Sequence, residues 1–330
     1  MPTLNRSLTL SIIAGHLSFV SAAGAPVVSG NNSRSANETT IVSFAPSNTE
    51  LIYSLGAADR LVGVCSYCDY PNQVNSVDRV GSFVSANLER MARIKPSTVL
   101  LVSGQEQLAG LLAHNGYHAV TLKNSTLEDI ASNLRLIGQV TGHRASGDAI
   151  AAQFDRSLKE LDQVVSKASA KPTVFCCVWP DPLLTIGKTS YLTDAITACG
   201  GNSISANLAQ GYPHYSMERL ILSNPDVIIL PYESRQKTFL KKHPWSTLKA
   251  VKEKRVYFLP DARHDALARP TLRITSGLHW LATRLHPELT AALDDWYAHN
   301  QNLAMQAGQG GRRPTPASAA LEKPVSGGPR

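Results

Sequence analysis

Short aliphatic runs alternate with helical patterns along most of the chain. Uninterrupted runs at residues 61–64, 99–101 and 228–230 are bounded by turn-forming residues, which is typical of buried strands. Between these runs, apolar residues recur every three or four positions, as they do on helices that bury one face. Ser47 and Glu50 have the S-x-x-E spacing of a capping box and predict a helix start. Strands that alternate with helices favour parallel sheets covered on both faces, so the fold class is α/β.

One phrase occurs twice in the chain. Residues 87–101 read NLERMARIKPSTVLL, and residues 216–230 read SMERLILSNPDVIIL. Each copy predicts a short helix, a proline that stops it and a buried strand, so two similarly built lobes are expected. Glu89 and Glu218 occupy the first helical turn, where the helix dipole favours negative charge. Either glutamate alone is an ordinary helix-start residue, but the matched pair predicts a two-point docking surface.

Residues 143–170 interrupt this alternation. Apolar residues recur there at helical spacing over several turns, namely Ile150, Phe154, Leu158, Leu161 and Val165. We therefore predict one long connecting helix between two Rossmann-like lobes with parallel sheets. The N-terminal α/β lobe is assigned to residues 40–142 and the C-terminal α/β lobe to residues 171–287. Residues 288–330 are predicted to hold the end of the terminal helix and a disordered tail.

The N-terminus has the pattern of a secretory signal peptide. Arg6 is followed by an apolar run at residues 8–20 and then by small residues, so residues 1–23 are predicted to be removed on export. Residues 24–39, rich in Ser, Asn and Gly, are predicted to form a flexible leader. No cysteine precedes Cys65, so we expect a periplasmic protein without a lipid anchor. No later run is apolar enough to span a bilayer.

Charge and motif content argue against several other classes of function. The formal net charge is +7, but four basic residues lie in the Gly/Pro/Ala-rich tail, and no basic stripe is interleaved with aromatic residues. Nucleic-acid binding is therefore not indicated. The sequence Gly187-Lys188-Thr189 resembles the end of a phosphate-binding loop, but Pro182 stands where the first glycine is required. His114 and His118 flank a glycine and cannot share a helical face, so a metal site is not predicted. None of these motifs predicts an enzyme.

Cys65 and Cys68 form a C-x-x-C pattern within CSYCDYP, a predicted loop. They do not open a helix, so a periplasmic thiol redox protein is a remote alternative. A local disulfide and two thiols both remain open. The neighbouring Cys176 and Cys177 are interpreted as strand residues, one on each face.

Several phrases together carry a resemblance to a known family. They are SFAPSNTELIYSLGAADRLVGV (43–64), DYP (69–71), GSF (81–83) with NLER (87–90), GKTSYLTDAITACGGNSI (187–204) and RPTLRITSGLHWLA (269–282). In this order and spacing the sequence resembles the helix-linked periplasmic substrate-binding proteins of ABC importers for vitamin B12, ferric siderophores and haem. The resemblance covers roughly residues 40–287 and is strongest to the members that bind vitamin B12.

The resemblance implies a monomer without a cofactor, which holds its ligand between two lobes and delivers it to an ABC importer permease with its ATPase. Cobalamin is the expected ligand, and a ferric siderophore or haem is the alternative. In the vitamin B12-binding members, a glutamate on each lobe pairs with permease arginines, and the matching motifs contain Glu89 and Glu218. The alternative ligands find support in Arg263, Arg269 and Arg273, because carboxylate and hydroxamate ligands attract arginine.

The resemblance also implies which residues line the cleft. They are Ser47, Asn48, Tyr67 or Tyr70, Phe83, Tyr212, Asp265 and Arg269. The chain departs from the pattern of the vitamin B12-binding members, because Phe83 and Tyr212 stand in place of tryptophan. Val102 and Ala266 also replace tryptophan, and Leu184 replaces phenylalanine. Those members further imply a disulfide from the position of Cys199 to a position that is Ala282 here, so Cys199 lacks that partner.

Overall fold

The first lobe contains a five-stranded parallel sheet. The computed structural model describes residues 39–232, 234, 238–259, 266–267 and 269–306. The strands are β1 (Ile41–Ser43), β2 (Leu61–Cys65), β3 (Arg79–Gly81), β4 (Thr98–Val102) and β5 (Ala119–Leu122). Their order in the sheet is β3-β2-β1-β4-β5, and every neighbouring pair is parallel. This order places a change of winding direction between β1 and β4, where ligands of open α/β sheets bind.

The helices of the first lobe follow its strands and cover the sheet. They are α1 (Pro46–Ser54), α2 (Leu88–Ile94), α3 (Glu106–His114) and α4 (Leu127–Thr141), with short 3-10 turns at Ala58–Arg60 and Asn72–Ser76. α4 begins with a capping box formed by Thr126 and Asp129. In the sheet, Val64, Val99 and Leu100 are completely buried, as the aliphatic runs at residues 61–64 and 99–101 predict.

The second lobe contains a mixed sheet. Its strands are β6 (Thr173–Pro180), β7 (Leu183–Thr185), β8 (Asn202–Ser203), β9 (Val227–Leu230) and β10 (Val256–Phe258). β10, β9 and β6 are parallel neighbours, and β8 runs parallel to the start of β6. β7 folds back antiparallel onto the end of β6, a hairpin that the expectation of purely parallel sheets did not include.

The second lobe and the end of the chain add five helices to the described residues. They are α6 (Tyr191–Ala198), α7 (Met217–Ser223), α8 (Lys249–Lys252), α9 (Ile274–Leu285) and α10 (Thr290–Gln306), with 3-10 turns at Thr238–Lys241, Trp245–Thr247 and Pro287–Leu289. α10 is a full helix that begins after the turn at Pro287, whereas the sequence predicted only the end of a helix there. Its residues Leu293, Trp296 and Leu303 join the core.

The predicted connector is the longest helix described, α5 (Arg144–Val165). It lies against α4, and the two helices meet at Gly138 and Gly147, where an added Cβ on Gly147 would stand 2.7 Å from the Leu134 carbonyl oxygen. α10 contacts the C-terminal half of α5, where the Trp296 indole nitrogen donates to the Ser157 carbonyl oxygen at 2.8 Å. α5 is therefore one member of a stack of helices.

The repeated phrase adopts the same local structure in both lobes, as predicted. α2 and α7 each have seven residues. Asn87 and Ser216 cap their N-termini by accepting hydrogen bonds from the backbone N–H groups of Arg90 and Arg219. Both helices end at a left-handed residue that is not glycine, Lys95 in the first lobe and Asn224 in the second. A side-chain N-cap and a left-handed C-cap satisfy backbone groups that a short helix leaves without partners.

The capping box predicted at Ser47 and Glu50 is wrong. The N-cap is Ala45, two residues before Ser47, so α1 begins at Pro46, and no side chain caps its N-terminus. Glu50 is completely buried and makes its contacts with the second lobe. Proline suits the start of a helix because its backbone angle is fixed near the helical value and it has no N–H group that would need a partner.

The lobes also contact each other away from α5. The carboxylate of Asp194 on α6 accepts a hydrogen bond at 2.7 Å from the backbone N–H of Leu127, the first residue of α4. A carboxylate from the second lobe thus stabilises a helix N-terminus in the first.

The remaining predictions concern the domain boundaries and the two ends of the chain. The domain boundaries stay predictions, and the signal peptide, nearly all of the leader and the tail from residue 307 lie outside the described residues. None of the described helices combines the length and the apolar character that a bilayer span requires.

Candidate ligand-binding cleft

All five strands of the first sheet contribute residues to one cleft. Ala45, Pro46 and Ser47 follow β1, Tyr67 follows β2, Ser82, Phe83 and Val84 follow β3, Val102 ends β4 and Asn124 follows β5. Because the carboxyl ends of parallel strands meet at one edge of a sheet, residues distant in sequence are brought together there.

The second lobe forms the other wall of the cleft. It contributes Tyr191 at the start of α6, Tyr212 before α7, and Arg269 with Pro270 before α9. The cleft has a volume of about 520 Å³. This volume and a lining of aromatic and small polar side chains are typical of sites for organic ligands.

Two tyrosines and one phenylalanine of this lining offer ring faces. Tyr67 is 61% exposed and Tyr212 is 53% exposed, whereas Phe83 is half-buried. Partial burial raises the pKa of Tyr212, although a hydrogen bond with Ser190 opposes the shift, so its phenol is neutral at physiological pH. Exposed rings on both lobes can stack against a flat ligand at a low cost in side-chain entropy.

A charged cluster lies where the cleft meets the interface between the lobes. The Nη1 atom of Arg269 is 2.8 Å from Glu50 and 2.7 Å from Asp69. The Nη1 atom of Arg273 lies 3.4 Å from the same Glu50 oxygen, and the Thr271 hydroxyl donates to the other oxygen at 3.0 Å. One buried carboxylate of the first lobe thus contacts three residues of the second, so the cluster joins the lobes directly.

The pKa values of this cluster follow from burial and pairing. Burial raises the pKa of Glu50, and the nearby charges of Arg273 and Arg269 oppose that increase. Burial acts in the same direction on Asp69, but the hydrogen bond and the charge of Arg269, together with the charge of Arg273, outweigh it and lower the pKa of that carboxyl. Arg269 is the only charged residue among the described residues that line the cleft, and its charge is compensated by two carboxylates.

Five of the eight predicted cleft residues lie in this lining. They are Ser47, Tyr67, Phe83, Tyr212 and Arg269. Asn48 instead points into the first lobe, where its side-chain amide donates to the Leu101 carbonyl oxygen at 3.1 Å. Tyr70 lies under the guanidinium of Arg273, 4.3 Å from the ring centre, and supports the charged cluster. Asp265 lies outside the described residues, as does Arg263.

A comparison with known protein families decides which class this architecture belongs to. The family model described as periplasmic binding protein matches residues 41–262, which is most of the chain. The chain belongs to the periplasmic binding protein family. The resemblance in the sequence and the prediction of an α/β protein with two lobes are thereby confirmed.

Individual relatives agree with this assignment. An uncharacterised ABC transporter substrate-binding lipoprotein of Bacillus subtilis is 29% identical over 257 residues, which cover 75% of this chain and 80% of the relative. The crystal structure of the periplasmic vitamin B12-binding protein BtuF of Vibrio cholerae is 26% identical, with a TM-score of 0.66 over 75% of this chain and 96% of that one. The periplasmic haem-binding protein RhuT from Roseiflexus sp. RS-1 shares the fold at 22% identity, with a TM-score of 0.61 over 80% of this chain and 99% of that one.

Asn124 and Tyr191 are among the cleft residues of this binding protein that were not identified from the sequence. Asn124 follows β5, and its position after the last strand of the first sheet was the available signal. Tyr191 begins α6 within the phrase GKTSY, and its hydroxyl donates to the Leu267 carbonyl oxygen at 2.8 Å. That carbonyl is distant in sequence, so no local pattern predicts the contact.

Glu89 and Glu218 do not line the cleft of the binding protein. Both are exposed at the second position of their helices, and the side chain of Glu89 is 88% accessible. Arg93 lies 3.7 Å from Glu89 on the same helix. Beside Glu218, Ile221 and Leu222 are also exposed, Leu222 at 85%. Among the described residues, no group of histidine, cysteine and acidic side chains is arranged to hold a metal ion.

Proposed function

We propose that this binding protein captures cobalamin between its lobes outside the cytoplasm and delivers it to the permease and ATPase of an ABC importer. The observation that carries the proposal is the lining of the cleft. Aromatic faces from both lobes surround neutral polar groups, and the one described cation in the lining is compensated by Glu50 and Asp69. A large, flat ligand with little net charge matches such a lining.

The charge of the cleft favours cobalamin over the alternative ligands. Haem and many ferric siderophores carry carboxylates, and their binding would be favoured by arginines without counterions. Arg269 and Arg273 instead contact Glu50, and Arg269 also contacts Asp69. An anionic ligand would have to compete with these carboxylates for the same guanidinium groups.

Export is part of the proposal. The signal pattern at residues 1–23 and the membership of the periplasmic binding protein family both support a site of action in the periplasm. A monomer is proposed because one chain supplies both walls of the cleft.

One experiment tests the ligand directly. The purified protein is mixed separately with cyanocobalamin, haemin and a panel of ferric siderophores, desalted, and examined by absorbance spectroscopy. Retention of the cyanocobalamin spectrum alone, at one ligand per chain, is the expected result. Retention of haemin or of a ferric siderophore with no cyanocobalamin would contradict the proposed ligand and favour the alternative.

The aromatic lining gives a second test. We expect Phe83→Ala and Tyr212→Ala each to weaken cyanocobalamin binding by about 1–3 kcal/mol, because each removes apolar area that the ligand would bury. Isothermal titration calorimetry measures the change. Tyr117→Ala is a matched control, because Tyr117 precedes β5 and so lies at the end of the strands away from the cleft. Equal affinity in both cleft variants and the control would contradict stacking in this cleft.

A further inference from the structure

The two cysteines of the C-x-x-C pattern face each other at the end of β2. Cys65 is the last residue of that strand, and the chain turns back so that the Cys68 N–H donates to the Cys65 carbonyl oxygen at 3.2 Å. Their sulfur atoms are 3.4 Å apart, and both side chains are completely buried. The sulfurs would need to approach by roughly 1.4 Å to reach the length of a disulfide bond.

The surroundings hold this turn in place from two sides. The Thr49 hydroxyl on α1 lies 3.2 Å from the Cys68 sulfur. The Nη1 atom of Arg79 on β3 donates to the carbonyl oxygens of both Cys65 and Cys68. Arg79 therefore joins the carbonyl groups of the two cysteines and favours the close approach of their sulfurs.

The same turn carries residues of the cleft and of the interface between the lobes. Tyr67, between the two cysteines, lines the cleft with an exposed ring. Asp69, directly after Cys68, forms the ion pair with Arg269 of the second lobe at 2.7 Å. A bond between the two sulfurs would therefore restrict the backbone of a segment that contacts both the ligand site and the other lobe.

We propose that Cys65 and Cys68 are a site of reversible disulfide formation, and that the disulfide fixes the 66–69 segment at the cleft. The reaction needs a disulfide oxidant, either a small-molecule disulfide or a protein disulfide. The consequence for ligand capture rests on the proposed function, whereas the formation of the disulfide does not.

The reaction is a pair of thiol–disulfide exchanges. The thiolate of Cys65 attacks one sulfur of the oxidant, forms a mixed disulfide and releases the first thiolate of the oxidant. Cys68 then loses its proton and attacks the Cys65 sulfur, which forms the Cys65–Cys68 bond and releases the second thiolate. Two electrons pass to the oxidant, and two protons leave the cysteines. Because both sulfurs are buried, the segment must open locally for the first attack.

The electrostatics of the pair identify the attacking thiol. The hydrogen bond from Cys68 lowers the pKa of Cys65 to about 7, although burial opposes the shift. The same interaction, together with burial, raises the pKa of Cys68. At pH 7 about half of Cys65 is therefore thiolate, whereas Cys68 holds its proton, so Cys65 is the attacking thiol.

The first test measures the disulfide without any ligand. The full chain is equilibrated in glutathione buffers of graded oxidised-to-reduced ratio, denatured and alkylated, and its peptides are identified by mass spectrometry. In oxidising buffer we expect the peptide with Cys65 and Cys68 to lose two hydrogen atoms and its alkylation. Cys176, Cys177 and Cys199 serve as internal controls that stay alkylated at every ratio. Full alkylation of Cys65 and Cys68 in the most oxidising buffer would overturn the proposal, as would stable glutathione adducts.

The second test measures the constraint on the segment. Hydrogen–deuterium exchange at residues 66–69 should slow several-fold on oxidation, whereas the melting temperature should change little, because so short a loop constrains the unfolded chain weakly. Cys65→Ser and Cys68→Ser should each abolish the difference between the two redox states. The wild-type comparison alone still decides the outcome if either variant does not fold. Equal exchange in the oxidised and reduced wild type would refute the constraint.

The third test connects the disulfide to the cleft. Titration with cyanocobalamin should give a dissociation constant about three-fold lower, or better, for the oxidised protein, because a restrained segment loses less freedom on binding. Equal constants in the two redox states would overturn the coupling to the cleft. Absence of cyanocobalamin binding in both states contradicts the proposed function alone, because alkylation and exchange decide the disulfide and the constraint without ligand.

Discussion

The carboxylate of Glu50 lies between the lobes, where no solvent reaches it. It accepts hydrogen bonds from Arg269, Thr271 and Arg273, all from the start of α9 or the segment before it. Burial of a charge is unfavourable unless hydrogen bonds and opposite charges compensate it, as they do here. Glu50 is therefore a structural contact between the lobes and not a helix cap.

We expect Glu50→Gln to lower the free energy of unfolding by about 3 kcal/mol at pH 7, because it removes one charge from a buried pair and leaves the arginines partly uncompensated. Urea denaturation monitored by circular dichroism measures this change. Glu128→Gln is the control, because Glu128 is exposed in the first turn of α4 and should cost only about 0.5 kcal/mol. A Glu50 variant as stable as the control would show that the cluster contributes no net stability.

Individual residues were predicted from the sequence only where a local pattern specified them. Glu89 and Glu218 were placed correctly in the first turn of their helices because a short phrase, repeated once, contains the cap, the helix and its end. Glu50 was misassigned because its partner Arg269 is 219 residues away. Asn48 and Tyr70 were predicted in the cleft from motif position alone. In the structure, the Asn48 side chain contacts the Leu101 carbonyl oxygen and Tyr70 lies against Arg273.

At the scale of elements, the repeated phrase continues past its helices into the strands. Asp226 precedes β9 and accepts hydrogen bonds from the N–H of Thr173 at 2.8 Å and from its hydroxyl at 2.7 Å. Ser97 holds the matching position before β4 and bonds Thr40 in the same way, with the Thr40 N–H donating at 2.7 Å. In each lobe a polar side chain therefore joins the starts of two neighbouring strands. Only Asp226 is charged, and Lys249 lies 2.6 Å from it.

We expect Asp226→Asn to destabilise the protein by about 1–2 kcal/mol at pH 7, after allowance for screening by solvent. Burial opposes the shift, but Lys249 and Thr173 lower the pKa of Asp226 to about 2. A depressed pKa contributes stability above the pKa of the unfolded chain, about 4, and that contribution is lost as the pH falls towards 2.

Urea denaturation at a series of pH values measures this effect. The stability difference between wild type and Asp226→Asn should shrink steadily below about pH 4. Ser97→Ala, the matched change in the first lobe, should destabilise by an amount that does not depend on pH. A difference for Asp226→Asn that stays constant down to pH 3 would contradict the role of its charge.

The long and periodic elements were predicted, and the short or tertiary ones were not. α5 was recognised because its apolar residues keep helical spacing over its whole length. β7 has three residues, which is too few for any periodicity to identify its direction. α10 is amphipathic, but its buried Trp296 is held by a hydrogen bond to Ser157 of α5. This contact joins residues distant in sequence, so no local pattern predicts it.

At the scale of the whole molecule, the two exposed glutamates concern the proposed partner and not the ligand. Because α2 and α7 share caps and length, they present Glu89 and Glu218 in equivalent local settings on the two lobes. Arginines of a permease could pair with both carboxylates through directional, charge-assisted hydrogen bonds. Glu89 and Glu218 are not part of the cleft lining, so this proposed role is separate from ligand capture.

We expect Glu89→Gln and Glu218→Gln each to weaken the complex with the cognate permease by about 1.5–3 kcal/mol, because each removes a charge-assisted contact. The double variant should approach the sum of the two effects. Permease binding in detergent or nanodiscs measures the loss. Ligand titration curves of the isolated variants should overlay that of the wild type. Asp162→Asn, an exposed change on α5, is the control. Full permease affinity in the double variant would rule out the docking role.

The stack of α4, α5 and α10 has a consequence for the release of the ligand. The connector could bend only if its contacts with α4 at Gly138 and with Trp296 of α10 were disturbed, and the Glu50 cluster and the Asp194 contact would have to break as well. Thermal fluctuation would then open the cleft only rarely and slightly. We therefore expect the free energy for separating the lobes to come from outside the chain. Release of the ligand would then be driven by a partner that binds both lobes at the same time.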